Sequence, residues 1–266
     1  MRGLAITIQS AGYRGRSVLT DLSLPVIAPG CLAAIVGPNA AGKSTLMKAI
    51  AGLCQMRGKI ALDAEDLGAL RPVDRMRKTA YLPQIPPQPT SLLAYETVLG
   101  VLRATRQDLG RAAAAQAVEA VFDSLRIHEI ALYPLSEMSG GQRQMVGLAQ
   151  VMVRAPRLLL LDEPTSALDL HWQLDVIRAV REATRRDGVI ALMAIHDLNL
   201  AIRTADRVIV LAAGKVLADG LPEEAISASI LRRAYGVDAR IERCSRGTPI
   251  ILIDGPAAQG PSPEER

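Results

Sequence analysis

The run Gly37-Pro38-Asn39-Ala40-Ala41-Gly42-Lys43-Ser44-Thr45 carries the pattern G-x-x-x-x-G-K-[ST]. It lies between the apolar run Cys31 to Val36 and a stretch with helical spacing that starts at Lys43, the strand–loop–helix setting this pattern requires. Glycines at 37 and 42 let the backbone turn tightly, so that successive N–H groups converge on one point. The positive end of the following helix faces the same point. Such a concavity takes phosphate oxygens. Lys43 supplies a mobile charge for the outer phosphates, and Ser44 offers a hydroxyl to Mg²⁺, a hard cation that takes oxygen ligands. Thr45 adds a further phosphate contact. Ala40 stands where glycine would be freer, and must adopt a conformation open to a residue with a Cβ.

A second set of chemistry-bearing residues comes later in the chain. "LLLLDEP" ends an apolar strand on two adjacent carboxylates, Asp162 and Glu163. Ligands of open α/β sheets bind at strand C-terminal ends. Asp162 is the expected partner of Mg²⁺, directly or through water. Glu163 is placed to polarise an attacking water or take its proton, a role typically worth about 10²–10⁴-fold in rate. His196 closes the next apolar strand, "VIALMAIH", and either satisfies a backbone group or reaches a terminal phosphate. Gln84, in "YLPQ", is an isolated polar residue before a proline-rich turn. Tyr13, in "AGYRGR", is either a packed hairpin aromatic or a platform for a flat ring. "MSGGQRQ", with Ser139, Gly140, Gly141 and Gln142, opens an apolar helical run and forms a second place where a helix N-terminus could hold an anion.

These residues need a scaffold. "LAITIQSAGY" and "SVLTDLSLPV" alternate apolar and polar positions and read as strands. From about Pro86 to Arg154 apolar residues recur at three and four spacing, which predicts a helical insertion. After it the β/α rhythm resumes: "RLLLLD", the helix "LHWQLDVIRAVREATRRDG", "VIALMAI", the helix "LNLAIRTA" and the hairpin-like "RVIVLAAGKVLADG". Fully apolar strands separated by helices imply a parallel sheet covered on both faces. The expected units are a core of residues 1–85 and 155–240, a helical subdomain of 86–154, an extension of 241–254, and a disordered Pro/Gly/Ser-rich tail of 255–266.

Bulk properties narrow the partners. The chain has 266 residues and a net charge of +4, with Lys and Arg spread along its length. The longest basic cluster, "RMRK", is short and reads as a solvated face, so no nucleic-acid partner is expected. No apolar run approaches the roughly 20 residues that span a bilayer, and the N-terminus lacks a signal-peptide core. A cytosolic chain is expected, one that can still sit against a membrane protein. Cys31, Cys54 and Cys244 are far apart and read as ordinary reduced thiols.

Taken in order, Tyr13, "GPNAAGKST", Gln84, "MSGGQRQ", "LLLLDEP", "SALD" and His196 resemble the nucleotide-binding subunit of an ATP-binding cassette (ABC) transporter over roughly residues 3–240. The resemblance implies an α/β fold: a P-loop NTPase core with a mostly parallel sheet, an N-terminal antiparallel β subdomain and an inserted α-helical subdomain. It implies ATP and Mg²⁺ as cofactors, with Tyr13 stacked on adenine and Gly37 to Thr45 around the phosphates. Ser44, Gln84 and Asp162 would stand at the metal, and Glu163 and His196 would be catalytic. Ser139 to Gln142 would form the signature that meets a second copy's nucleotide, and Ser166, Ala167, Leu168 and Asp169 the D-loop crossing that interface. Implied partners are the second copy, transmembrane permease subunits and, indirectly, a solute-binding protein, at the cytoplasmic face of the inner membrane. "HDLNLA", "DEPTSALDL" and "AYGVDARI" are similar to importers of iron(III)–siderophores, with haem and cobalamin as alternative cargo; "ETVLGVLRATRQ" lacks the Gly-Arg-aromatic-Pro run frequent there. A soluble repair or translation ATPase would need long coiled coils or two cassettes. A small-molecule kinase would leave "MSGGQRQ" and "SALD" without a role, and no N-K-x-D run supports a GTPase.

Overall fold

A computed structural model of the chain describes residues 2–166 and 168–257. Ala167 of the expected D-loop and residues 258–266 of the expected tail lie outside the described residues. β1 (Leu4–Tyr13) and β2 (Arg16–Ile27) pair antiparallel, with Tyr13 opposite Arg16 across a two-residue turn. β3 (Leu32–Val36) then leaves this layer and runs into the glycine loop and α1 (Lys43–Ala51). The chain returns as β4 (Gln55–Leu62) and β5 (Glu65–Asp66), completing an antiparallel sheet in the order β2-β1-β4-β5. α2 (Pro72–Lys78) leads into β6 (Thr79–Leu82).

Helices follow: α3 (Ala94–Thr105), α4 (Arg111–Leu125) and α5 (Gly140–Met152). The helical reading from Pro86 is corrected here, because regular helix begins only at Ala94. Prolines at 83, 86, 87 and 89 remove N–H donors and restrict the residues before them, so the linker stays irregular. Within the helical lobe Phe122 is fully buried, 6.1 Å from the Tyr95 ring centre.

β7 (Leu158–Asp162), α6 (Leu170–Asp187), β8 (Ile190–Ala194), α7 (Leu198–Thr204), β9 (Arg207–Ala212) and β10 (Lys215–Gly220) complete the main layer. Its six strands lie in the order β10-β9-β3-β8-β7-β6, parallel except for β10 against β9. Their apolar residues serve two cores in strict alternation. Leu159, Leu161, Val208 and Val210 face the core shared by the helical lobe, α6, α7 and the C-terminal helices, while Leu158, Leu160, Ile209 and Leu211 face α1 and the antiparallel sheet. Each such buried side chain contributes about 1.5–3 kcal/mol, which is why these strands are apolar at successive positions.

α8 (Pro222–Ala225) and α9 (Ala228–Tyr235) precede a closing hairpin of β11 (Val237–Arg243) and β12 (Pro249–Pro256). The tail expected from 255 is corrected: Gly255 and Pro256 belong to β12, opposite Asp238 and Val237. Proline is tolerated there because it ends the strand. β11 also runs through the boundary expected at 240, the actual turn being at Gly236.

Candidate active site

The phosphate loop is held in shape by what surrounds it. Gly37 has φ 154° and Gly42 φ 105°. A Cβ on Gly37 would stand 2.2 Å from the Leu211 carbonyl oxygen, and one on Gly42 2.5 Å from Leu19 Cδ2. Only glycine fits between those neighbours. Ala40 takes φ 61°, inside the small left-handed region open to a residue with a Cβ. Lys43 is buried, and its Nζ donates to the Gly37 and Pro38 carbonyls at 2.7 and 3.0 Å. Burial lowers the pKa of this ammonium, while Glu163 and Asp162 act in the opposite sense.

Two hydroxyls meet on Asp162. Ser44 Oγ donates to Oδ1 and the Tyr81 hydroxyl to Oδ2, each at 3.0 Å. Burial pushes the Asp162 carboxyl above the usual carboxylate range, and the two hydroxyl donors oppose that shift. Next in the chain, Glu163 sits at φ 55° and is buried. A left-handed Glu at a strand end costs on the order of 1–2 kcal/mol, and its neighbours hold it there. Ser166 Oγ donates to the Glu163 carbonyl at 3.0 Å, and Gln84 Nε2 to Glu163 Oε2 at 2.7 Å. His196 Nε2 stands 2.5 Å from Glu163 Oε1.

A cavity of about 790 Å³ opens over this group, lined by Asn39 to Thr45, Gln84, Glu163, His196, Arg16 and Val18. It is large enough for a polyphosphate, with a carboxylate at one wall and a ring of N–H donors at the other. Ser44, Gln84, Asp162, Glu163 and His196 are thus brought together from four parts of the chain. Tyr13 lines a separate depression of about 370 Å³ that shares Arg16 with the main cavity. Its ring is exposed, with Lys48 Nζ 5.9 Å from the centroid.

Ser139, Gly140, Gly141 and Gln142 do not line the cavity. Ser139 caps α5 instead. Its Oγ accepts the Gln142 N–H at 3.2 Å, and Gln142 Oε1 accepts the Ser139 N–H at 2.9 Å, a reciprocal capping box. Leu168 is buried, and Asp169 caps α6 by accepting the Trp172 N–H at 2.9 Å. Sequence reasoning missed Tyr81 and Arg16. Tyr81 lies in the same "YLPQ" run as Gln84, but its contact with Asp162 follows from the pairing of β6 with β7, which periodicity does not report.

Comparison with known proteins gives one answer at three levels. Residues 19–166, more than half of the chain, match the ABC transporter family model. A hemin import ATP-binding protein of Nitrobacter winogradskyi is 35% identical over 257 residues, covering 93% of each chain. An uncharacterised ABC transporter ATP-binding protein of Methanocaldococcus jannaschii is 34% identical over 248 residues, covering 91% of this chain and 94% of that one. Among solved structures, the ATP-binding subunit of an ABC transporter superposes with a TM-score of 0.73 at 28% identity, over 88% of this chain and 93% of its own. A transporter described as of the metal-chelate type, in an inward-facing conformation, shares the fold with a TM-score of 0.77 at 20% identity, over 96% and 98% of the two chains. The phosphate cradle, the carboxylate pair and these likenesses agree: the chain belongs to the ABC transporter family and is one of its ATPases.

Proposed function

We propose that this chain energises uptake of an iron chelate, working as a pair of identical ATPases beneath permease subunits at the cytoplasmic face of the inner membrane. The observation that carries the catalytic part is the Glu163 carboxylate, held between the Gln84 amide and His196 over the phosphate loop. In this reading Gly37 to Thr45 wrap the phosphates, with Lys43 leaving its loop carbonyls for the outer phosphate oxygens. Tyr13 stacks on adenine. Glu163 takes the proton of the attacking water, and His196 holds the terminal phosphate beside it. Catalysis here is mostly positioning and charge stabilisation.

The residues present fit Mg²⁺. Ser44 and Asp162 bring hard oxygens to one point, with the Gln84 side-chain amide nearby. Among the described residues no cluster of three or more His, Cys, Asp or Glu could hold a metal alone, which suits a cation shared with phosphates. When bound, the ion neutralises phosphate charge. Ser44 and Asp162 would orient it, and Gln84 would report its presence toward the permease.

Ser139 to Gln142, outside this chain's own cavity, would complete the site of a second copy in a two-fold, head-to-tail pair, with Ser166 to Asp169 at the crossing. Among the described residues no helix is long and apolar enough to cross a membrane, so separate permease subunits would form the path. A solute-binding protein would deliver cargo to them. "HDLNLA" and "AYGVDARI" support an iron(III)–siderophore. The hemin import named for the Nitrobacter relative supports hemin as second cargo. The test is uptake into vesicles holding the chain with its co-purified permease, supplied separately with iron(III)–siderophore, hemin and cobalamin. ATP-dependent accumulation of an iron chelate is expected. Accumulation of none, or of cobalamin alone, would sink the iron-chelate reading.

A further inference from the structure

Two sequence runs that the site leaves mostly unused, "HDLNLA" and "AYGVDARI", are joined through one hairpin. Asn199 is the second residue of α7, the helix that starts just after His196. Its Oδ1 accepts the Ile251 N–H at 2.8 Å, and its Nδ2 donates to the Ile251 carbonyl at 3.2 Å. A side-chain amide that meets both polar groups of one strand residue acts as an extra rung of the ladder. Both contacts are partly buried, and the Ile251 side chain is packed into the main core. The hairpin is therefore fixed to α7 and not merely near it.

The hairpin follows directly on a short helix. α9 ends at Tyr235, Gly236 reverses the chain at φ 67°, and β11 begins at the next residue. The Tyr235 hydroxyl is buried and has no hydrogen-bond partner among the described residues, and burial pushes this phenol up to about 12. The C-terminal unit is thus bound to α7, the helix that begins two residues after His196.

His196 itself has weak fixings. Its side chain is half-exposed and meets Glu163, while Asp197 caps α7 by accepting the Asn199 and Leu200 N–H groups at 2.8 and 3.1 Å. That cap sets the first turn of α7, and Ala201 and Ile202 pack the helix into the main core. Asn199 adds the polar link to the hairpin. We propose that Asn199 is a positioning residue for His196, through which the C-terminal hairpin sets how far His196 stands from the nucleotide. This rests on the ATPase reading for its effect on turnover, and on the geometry alone for the tether.

The experiment uses the full chain and two readouts. In hydrogen exchange without nucleotide, Asn199→Ala speeds exchange across Leu198–Thr204 and Pro249–Pro256 and leaves α3 and α4 unchanged. In steady-state hydrolysis with the permease complex, Asn199→Ala lowers turnover by about 10–100-fold, the scale of a misplaced group. ATP affinity stays within about two-fold, since the binding residues are untouched. Asn199→Asp keeps an acceptor for the Ile251 N–H and loses less. The decisive comparison is with His196→Ala: the double variant falls no lower than His196→Ala alone, because one residue acts through the other. Additive losses, or normal turnover despite faster exchange, overturn the proposal. Unchanged exchange at Leu198–Thr204 overturns the tether whatever the turnover. If the unsubstituted chain turns over no faster than Lys43→Ala, it is the ATPase reading that falls instead.

Discussion

The chain contains two glycine-rich turns that open onto helix N-termini, and they are finished differently. At α1 the turn is closed by its own chain: Gly37 and Gly42 are pinned by Leu211 and Leu19, Lys43 is buried among loop carbonyls, and Asp162 reaches Ser44. At α5 the turn is satisfied locally by Ser139 and Gln142, and a Cβ on Gly140 would meet nothing within 4 Å. Both helix ends offer N–H groups and a positive dipole end to an anion. Only the first is supplied by its own chain with a buried lysine, a carboxylate across the sheet and a walled cavity. The difference teaches that a helix N-terminus is half a site, and the proposed second copy is what would supply the other half at the second turn.

The strongest way to break that comparison is at the carboxylate that the first turn owns. Glu163→Gln is expected to lower turnover by about 10²–10⁴-fold while ATP binding persists and the two-copy complex accumulates. Phosphate release together with sedimentation reads both effects, and near-normal release would remove Glu163 as the base. Next comes Ser139→Arg at the second turn. We expect turnover to fall by about 100-fold, with ATP affinity of the isolated chain nearly unchanged and about 1 kcal/mol of cap stability lost. Lost affinity in the isolated chain would mean that this turn serves its own phosphate loop.

Lys43→Ala makes the converse change. Removing a charged donor is expected to weaken ATP binding to the isolated chain by about 10–100-fold, and titration calorimetry would show it. Affinity equal to that of the unsubstituted chain would deny the first turn its cation. The smallest expected effect is Ala40→Gly. Relief of the left-handed φ is partly offset by a freer unfolded chain, leaving a gain of up to about 1 kcal/mol in denaturant unfolding. A loss of stability would show that the Ala40 methyl packs usefully in the loop.

Much of this arrangement was legible in the residues. The phosphate loop could be read because its glycines, lysine and hydroxyl occupy one short run in a setting that one motif requires. β3, β7 and β8 could be read as buried strands because both their faces are apolar. Their order could not, since alternation says that a strand is covered but not which strand lies beside it. Tyr81 and Asn199 escaped for a related reason. Each looks ordinary in its own segment, and its partner, Asp162 or Ile251, is brought to it only by tertiary packing. Gly255 and Pro256 were misjudged because their composition suits a tail, whereas a β edge with a partner strand tolerates both.

The strand order has a consequence for how the chain is made. β3 emerges early, yet both of its neighbours, β8 and β9, are synthesised near the other end. β1 and β2 close their hairpin at once, since their pairing is local, but β3 waits until the whole helical lobe has been produced. During that interval an apolar strand has two unpaired edges, the condition under which chains pair with each other. A nascent or truncated chain that stops before β8 therefore leaves both edges of β3 unpaired, the state in which association between chains is favoured.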